Sequence, residues 1–342
     1  MDGMRAVIMH SPGDVSVVDR PDPRIEQPTD AVIRLAATCI CGSDLWPYRG
    51  ANDVDEAPMG HEYVGYVEEV GPEVRTVKVG DFVVGSFMAS DNTCEICEAG
   101  YQSRCVNVHP MGGIGTQAQY ARIPWADGTL VATPAPPDDD LIPSYLAASD
   151  VLGTGWFAAD AAQVRPGKTV AVVGDGAVGL LGVLSARQMG AERIIAMSRH
   201  ADRQELARQF GATDIVAERG KDGVAAVKEL TGGLGAHSVI EAVGTQESMM
   251  QAIRSTRPGG HVGFVGVSHG VELPGDRLFY SAVHLHGGPA PVRRYLPDLM
   301  RRIAAREIDP GRVFDLSLPL EDAAQGYRAM DRREAIKVML TV

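Results

Sequence analysis

The sequence predicts an α/β protein of two domains, a β-rich domain followed by a doubly wound parallel sheet. Three observations carry this expectation. Up to about residue 130 the chain falls into short alternating runs such as AVIRLAATCI, EYVGYVEEVG and DFVVGSF, broken at Gly, Pro and Asp. From residue 169 the rhythm changes to strand and helix in alternation, which demands right-handed crossovers and a parallel sheet. At 342 residues the chain is also long enough to bury two separate cores.

The alternating runs of the first part read as irregular, mostly antiparallel strands. The segment TPAPPDDDLIP, residues 133–143, is stiff and polar and continues neither a strand ladder nor a helix, so a domain boundary is expected there. Beyond it, strands are expected at 169–173, 193–197, around 215, through 239 and at 261–265. Helices are expected between them at 177–189, 202–210, ending near 230, and at 246–255. The remainder carries helices at 295–305 and 320–330 and the closing strand AIKVMLTV. There is no internal repeat and no low-complexity tract.

A net charge of -12, from 32 basic and 44 acidic residues, repels phosphate backbones and anionic lipid headgroups, so nucleic acid and membranes are poor partners. No apolar run approaches the roughly 20 residues that span a bilayer, and MDGMRAVIMHSPGD lacks the apolar segment of a signal peptide. A cytoplasmic location is expected.

Directly after the apolar run TVAVV stand Gly174, Asp175, Gly176, Ala177, Val178 and Gly179, a GxGxxG that opens a helix. Gly174 permits the tight turn, Gly176 lets the backbone approach a pyrophosphate, and Gly179 lets helix and strand pack closely. The bland alternative is a glycine-rich loop that binds nothing. About 20 residues on, where a carboxylate would accept the adenosine ribose hydroxyls of NAD, stand Ser198, Arg199 and, a turn later, Arg203. A hydroxyl and guanidinium groups suit a 2′-phosphate, so NADP(H) is expected over NAD(H). The competing reading makes Arg199 a solvated loop residue and gives the ribose to Asp202.

The five cysteines all lie in the first third of the chain, an odd and clustered set that fits metal better than a disulfide framework. Asp91, Cys94, Cys97 and Cys105 offer one carboxylate and three thiolates, the count a closed tetrahedral zinc needs; free thiols in a surface lobe are the alternative. A nucleic-acid-reading zinc ribbon would show similar thiols, but the acidic charge opposes it. A second set is dispersed: Cys41 in CGSD, His61 in GHE and Asp150 in ASDVLGTG, each weak alone. Asp44 and Glu62 stand beside them as carboxylates able to orient an imidazole and tune an ion.

The order CGSDLWPYRG, PMGHEYVGYVEEVG, KVGDFVV, the cysteine lobe, LGTG and VVGDGAVG resembles, essentially end to end, the zinc-dependent alcohol dehydrogenases of the medium-chain dehydrogenase/reductase superfamily. The resemblance implies a GroES-like catalytic domain at 1–151 and 287–342 and a Rossmann domain at 152–286, with the cleft between them. It implies a catalytic zinc on Cys41, His61 and Asp150 with an open position for substrate oxygen, and Ser43 passing on the alcohol's proton. Thr154 is placed near the nicotinamide, and Val243, Val265, Gly266 and Val267 along the cofactor. Trp46 replaces the relay His that related sequences carry, which marks a reshaped pocket, a relay through ribose and water, or both. Trp46, Tyr48, Trp125, Trp156 and the segment 284–291 are expected to line that pocket. Small alcohols and carbonyls are the expected substrates, and a homodimer or homotetramer the expected assembly. The alternatives are the zinc-free quinone or enone reductases of the same superfamily and a non-catalytic NADPH-binding relative.

Overall fold

The computed structural model describes residues 3–342, which form two compact units. The first comprises the chain up to residue 150 together with 291–342, and the second comprises 151–290. The first opens with strands β1 (Met4–Ser11), β2 (Asp14–Arg20), β3 (Ala31–Cys39), β4 (Ala57–Pro58) and β5 (Tyr63–Val70). It continues with β6 (Phe82–Gly85), β7 (Met88–Ala89), β8 (His109–Pro110), β9 (Tyr120–Ile123) and β10 (Leu130–Ala132). Side chains alternate across a strand, so Ala31, Ile33 and Leu35 of β3 share one face and pack with Tyr63, Val67 and Val83 in a fully buried core.

The prolines at 133–143 do not divide the units, which corrects the expected boundary. Pro143 sits in the first turn of the helix Ile142–Ala148, where a missing N–H costs no hydrogen bond, so the segment starts a helix inside the first unit. The division falls after Asp150, and the chain re-enters the first unit at Pro291, where the sequence placed these edges at 151/152 and 286/287.

The second unit holds β11 (Thr169–Val173), β12 (Arg193–Met197), β13 (Asp214–Val216), β14 (Ala236–Glu241), β15 (Thr256–Phe264) and β16 (His284–Gly287). They order as β13-β12-β11-β14-β15-β16, and every neighbouring pair is parallel. Val170, Ala171 and Val172 are all fully buried, as a parallel sheet covered on both faces requires. The helix Val151–Ala161 lies so close to β15 that a Cβ at Gly263 would collide with the carbonyl of Ala158. Strand β15 begins five residues earlier than the pattern predicted, because Pro258 and two glycines break its alternation.

Back in the first unit, β17 (Leu316–Pro319) and β18 (Val338–Thr341) extend the main sheet, giving β10-β6-β5-β3-β18-β17 with β9 also on β3. Met339 lies opposite Cys39, so the closing segment does return to the first domain. Among the described residues no helix is long and apolar enough to cross a membrane.

Candidate functional site

Cys41 leaves β3 in an extended conformation and opens the single turn Gly42–Asp44. The Asp44 carboxylate accepts the Cys41 N–H at 3.0 Å and so fixes the backbone that carries the thiol. His61 and Glu62 immediately precede β5, presented by Gly60 at φ +94°, where a Cβ would meet the Gln117 backbone. Asp150 completes the group, and the ligand atoms of Cys41, His61, Glu62 and Asp150 all lie within 4.8 Å of one another.

His61 turns Nε2 toward Asp150 (3.3 Å) and Nδ1 toward Asp44 (3.5 Å). Asp44 therefore orients the ring from behind while Nε2 faces the donor group. Burial disfavours the imidazolium, but the charges of Cys41 and Asp44 outweigh it and raise His61 well above its ordinary value. Burial also pushes up the Cys41 thiol and the Glu62 carboxyl. Glu62 is completely buried; Oε1 accepts from Lys337 Nζ at 2.8 Å, while Oε2 has no hydrogen-bond partner. A thiolate, an imidazole nitrogen and two carboxylates converging around an orphaned oxygen are the donor chemistry of zinc, and they fit it. Lys337, 1% exposed, also donates to the Ile40 carbonyl at 3.2 Å; sequence reading passed over it, although a lysine inside the apolar run AIKVMLTV was the available signal.

Ser43 stands two residues from Cys41 and is half-buried. Trp46 and Tyr48 lie on the following turn, Leu45–Tyr48, where Tyr48 stacks on the buried Tyr327 with ring centroids 5.4 Å apart. Trp125 does not join this group. Ile123 pairs with Ala31 at the start of β3, whereas Cys41 follows the strand's other end, roughly 25 Å away at a strand's rise per residue. Trp125 caps the short helix Ala126–Thr129 in a left-handed conformation, φ +51°, and is withdrawn as a pocket residue.

The cysteine lobe is a second donor set. The Cys94 sulfur lies 3.5 Å from that of Cys97 and 3.9 Å from that of Cys105, and Asp91 Oδ1 lies 3.8 and 3.3 Å from Cys97 and Cys105. Zinc bonded tetrahedrally to sulfur at about 2.3 Å separates its ligands by about 3.7 Å, so this set also fits the ion. Asn107 donates to the other Asp91 oxygen at 2.7 Å and fixes the carboxylate. Backbone hydrogen bonds, first that of Val106, lower the Cys94 thiol to about 7, whereas burial lifts Cys97 to about 12.

In the second unit, Gly174 (φ +121°) turns the chain out of β11, Gly176 caps the helix Ala177–Gln188, and a Cβ at Gly179 would strike the Gly174 carbonyl. Glu241 Oε1 accepts the N–H groups of Val243 and Gly244, and its carbonyl accepts those of Val265 and Gly266. The turns after β11, β14 and β15 are thereby gathered at one end of the sheet, with Val267 exposed there and Thr154 buried on the helix Val151–Ala161. Trp156 lies on that same helix, and His286 of the segment 284–291 packs edge-on against its Phe157. Ser198 is buried and donates to Asp175 Oδ2 at 2.8 Å, while Arg203 Nη1 donates to the Asp175 carbonyl at 3.2 Å. Arg199 is exposed. Asp175 was missed as a site residue, although a carboxylate between the first two glycines of the turn was visible.

A family model for the alcohol dehydrogenase GroES-like domain matches residues 27–135, and one for zinc-binding dehydrogenases matches 177–305. Zinc-type alcohol dehydrogenase B of Aspergillus flavus is 34% identical over 350 residues, covering 98% of this chain and 81% of that protein. The solved alcohol dehydrogenase TADH from Thermus sp. ATN1 superposes with a TM-score of 0.90 at 34% identity, covering 99% of this chain and all of that one. A solved NAD-dependent alcohol dehydrogenase superposes at 0.85 and 30% identity, covering 99% of this chain and all of that one. Fold and sites together define an oxidoreductase of the zinc-binding, nicotinamide-linked class. The chain belongs to the zinc-dependent alcohol dehydrogenase family of the medium-chain dehydrogenase/reductase superfamily.

Proposed function

We propose that this enzyme transfers hydride between a small alcohol and its aldehyde or ketone, using zinc on Cys41, His61 and Asp150 and preferring NADP(H). The observation that carries the reading is the convergence of half-buried Cys41 and His61 with buried Asp150 beside Glu62, whose free oxygen and Lys337 partner back the site. Bound there, zinc supplies Lewis acidity toward the substrate oxygen and lowers the pKa of an alcohol. Three donors leave one position for that oxygen, and Asp44 holds the His61 ring in register. Ser43 passes the alcohol's proton onward, its Oγ accepting that proton as its own O–H proton leaves, and Trp46 and Tyr48 stand on the next turn as walls for a small substrate. Cys94, Cys97, Cys105 and Asp91 hold a second, closed zinc. A cytoplasmic homodimer or homotetramer is the accompanying expectation.

The test is zinc per chain, with NADPH oxidation and NADP⁺ reduction over a carbonyl and alcohol panel before and after chelation. Two zincs and chelator-sensitive turnover are expected; one lobe-bound zinc with unaffected turnover would replace this reading with the zinc-free reductase.

Ser198, Arg199 and Arg203, with no carboxylate ending β12, support NADP(H). The Asp175 contacts favour a second reading, NAD(H), because that carboxylate engages both Ser198 and Arg203 and would repel a 2′-phosphate. The kcat/KM ratio of NADP⁺ to NAD⁺ separates them. A ratio above one, raised roughly tenfold in Asp175→Asn by relief of that repulsion, is expected; a ratio below one in the unaltered enzyme selects NAD(H).

A further inference from the structure

The second unit carries a cationic cleft at the end of its sheet remote from the glycine turn. Arg165, Lys168, His237, Arg257 and His261 line a cavity of about 300 Å³. It opens where β11 and β14 begin, whereas Gly174 follows the far end of β11, roughly 17 Å along the strand. Residues 257–260 of β15 border it, bulging from the ladder where the register jumps between the pairs Ala236–Thr256 and Ser238–His261.

The protein is strongly acidic, yet among the described residues none of Arg165, Lys168 and Arg257 has a carboxylate partner. Every charge that acts on the two imidazoles is positive. Burial first, then Arg257 and Lys168, lowers His237; burial, then His284 and Arg165, lowers His261, which stacks on His284 at 4.4 Å. His237 adds a geometric signal. Its Nδ1 lies 3.2 Å from the Thr169 nitrogen and its Nε2 lies 2.8 Å from Arg257 Nη1, so the ring links the start of β11 to the Arg257 guanidinium at the cavity. Three cations without a carboxylate partner therefore line one cavity, an arrangement that a multiply charged anion satisfies.

We propose that this cleft binds a phosphate-bearing small molecule, with Arg165, Lys168 and Arg257 as charge partners and His237 holding the Arg257 guanidinium in place. The site is separate from the dinucleotide turn, which lies at the other end of β11.

The experiment is isothermal titration of pyrophosphate into the zinc-loaded, full-length enzyme with its dinucleotide site saturated, so that the glycine turn contributes no signal. One saturable site per chain is expected. The Lys168→Gln/Arg257→Gln double variant should bind at least about tenfold more weakly, the loss of one or more charged hydrogen bonds. Lys221→Gln, on the helix Gly220–Leu230 and outside the cleft, should bind as the parent does. In the unaltered protein the His237 ring resonances should move on titration, which needs no variant to fold. No saturable site, or a double variant that binds as tightly as the parent, overturns the proposal. So does a double variant whose only change is its association state while the parent binds no pyrophosphate, since the cations would then serve a subunit contact.

Discussion

The two metal-donor groups of the first unit are built in opposite ways. Asp91, Cys94, Cys97 and Cys105 come from one short lobe, and their ligand atoms already stand at tetrahedral spacing. Cys41, His61, Glu62 and Asp150 are brought together from separate strand ends and a helix junction, and Lys337 joins them from 275 residues beyond Glu62. The lobe supplies four donors, the count that a closed, structural zinc takes. The dispersed group combines half-buried Cys41 and His61 with buried Glu62 and Asp150 and is backed by the Lys337 ammonium, the arrangement on which the proposed three-donor site rests. Local spacing suffices for a structural ion; a reactive one needs the whole unit to place its donors.

Three substitutions break or sharpen that contrast. His61→Ala should lower turnover by at least about 10³-fold, since Lewis-acid stabilisation amounts to several kcal/mol, while metal analysis still finds the lobe zinc. Loss of both ions would show that the two groups are not independent. Lys337→Ala strands Glu62 as an uncompensated buried charge and should cost about 3–5 kcal/mol in urea unfolding; adding Glu62→Gln should recover part of it. A single variant as stable as the parent would remove Lys337 from this account. Asn107→Ala deletes the hydrogen bond that fixes Asp91 and should weaken lobe zinc roughly tenfold in a chelator competition, with turnover per occupied catalytic site unchanged.

The same contrast explains what could be read from the sequence. Gly174 to Gly179 and the cysteine lobe are legible because their chemistry is set by neighbours a few residues away. The parallel sheet is legible because β11 and β12 are continuous apolar runs. Trp125 was misplaced because an aromatic residue in a loop carries no sign of which end of a sheet it will occupy. Only the Ile123–Ala31 pairing puts it remote from Cys41. Lys337 and Asp175 were passed over because their partners, Glu62 and the Ser198–Arg203 pair, become neighbours only through strand order. The prolines at 133–143 misled for a local reason: the first turn of a helix accepts them as readily as a linker does.

The pairing of β18 with β3 also has a kinetic meaning. The first unit is discontinuous, so on the ribosome residues 151–290 must emerge before its sheet can be closed and before Lys337 can reach Glu62. The cysteine lobe can capture its ion early in synthesis, whereas Glu62 must wait for its counter-charge until most of the polypeptide has been made. Contacts of such long sequence separation form slowly. The pairing that closes the sheet and the arrival of the counter-charge at Glu62 are therefore carried by one segment, Lys337 to Thr341, made after the whole of the second unit.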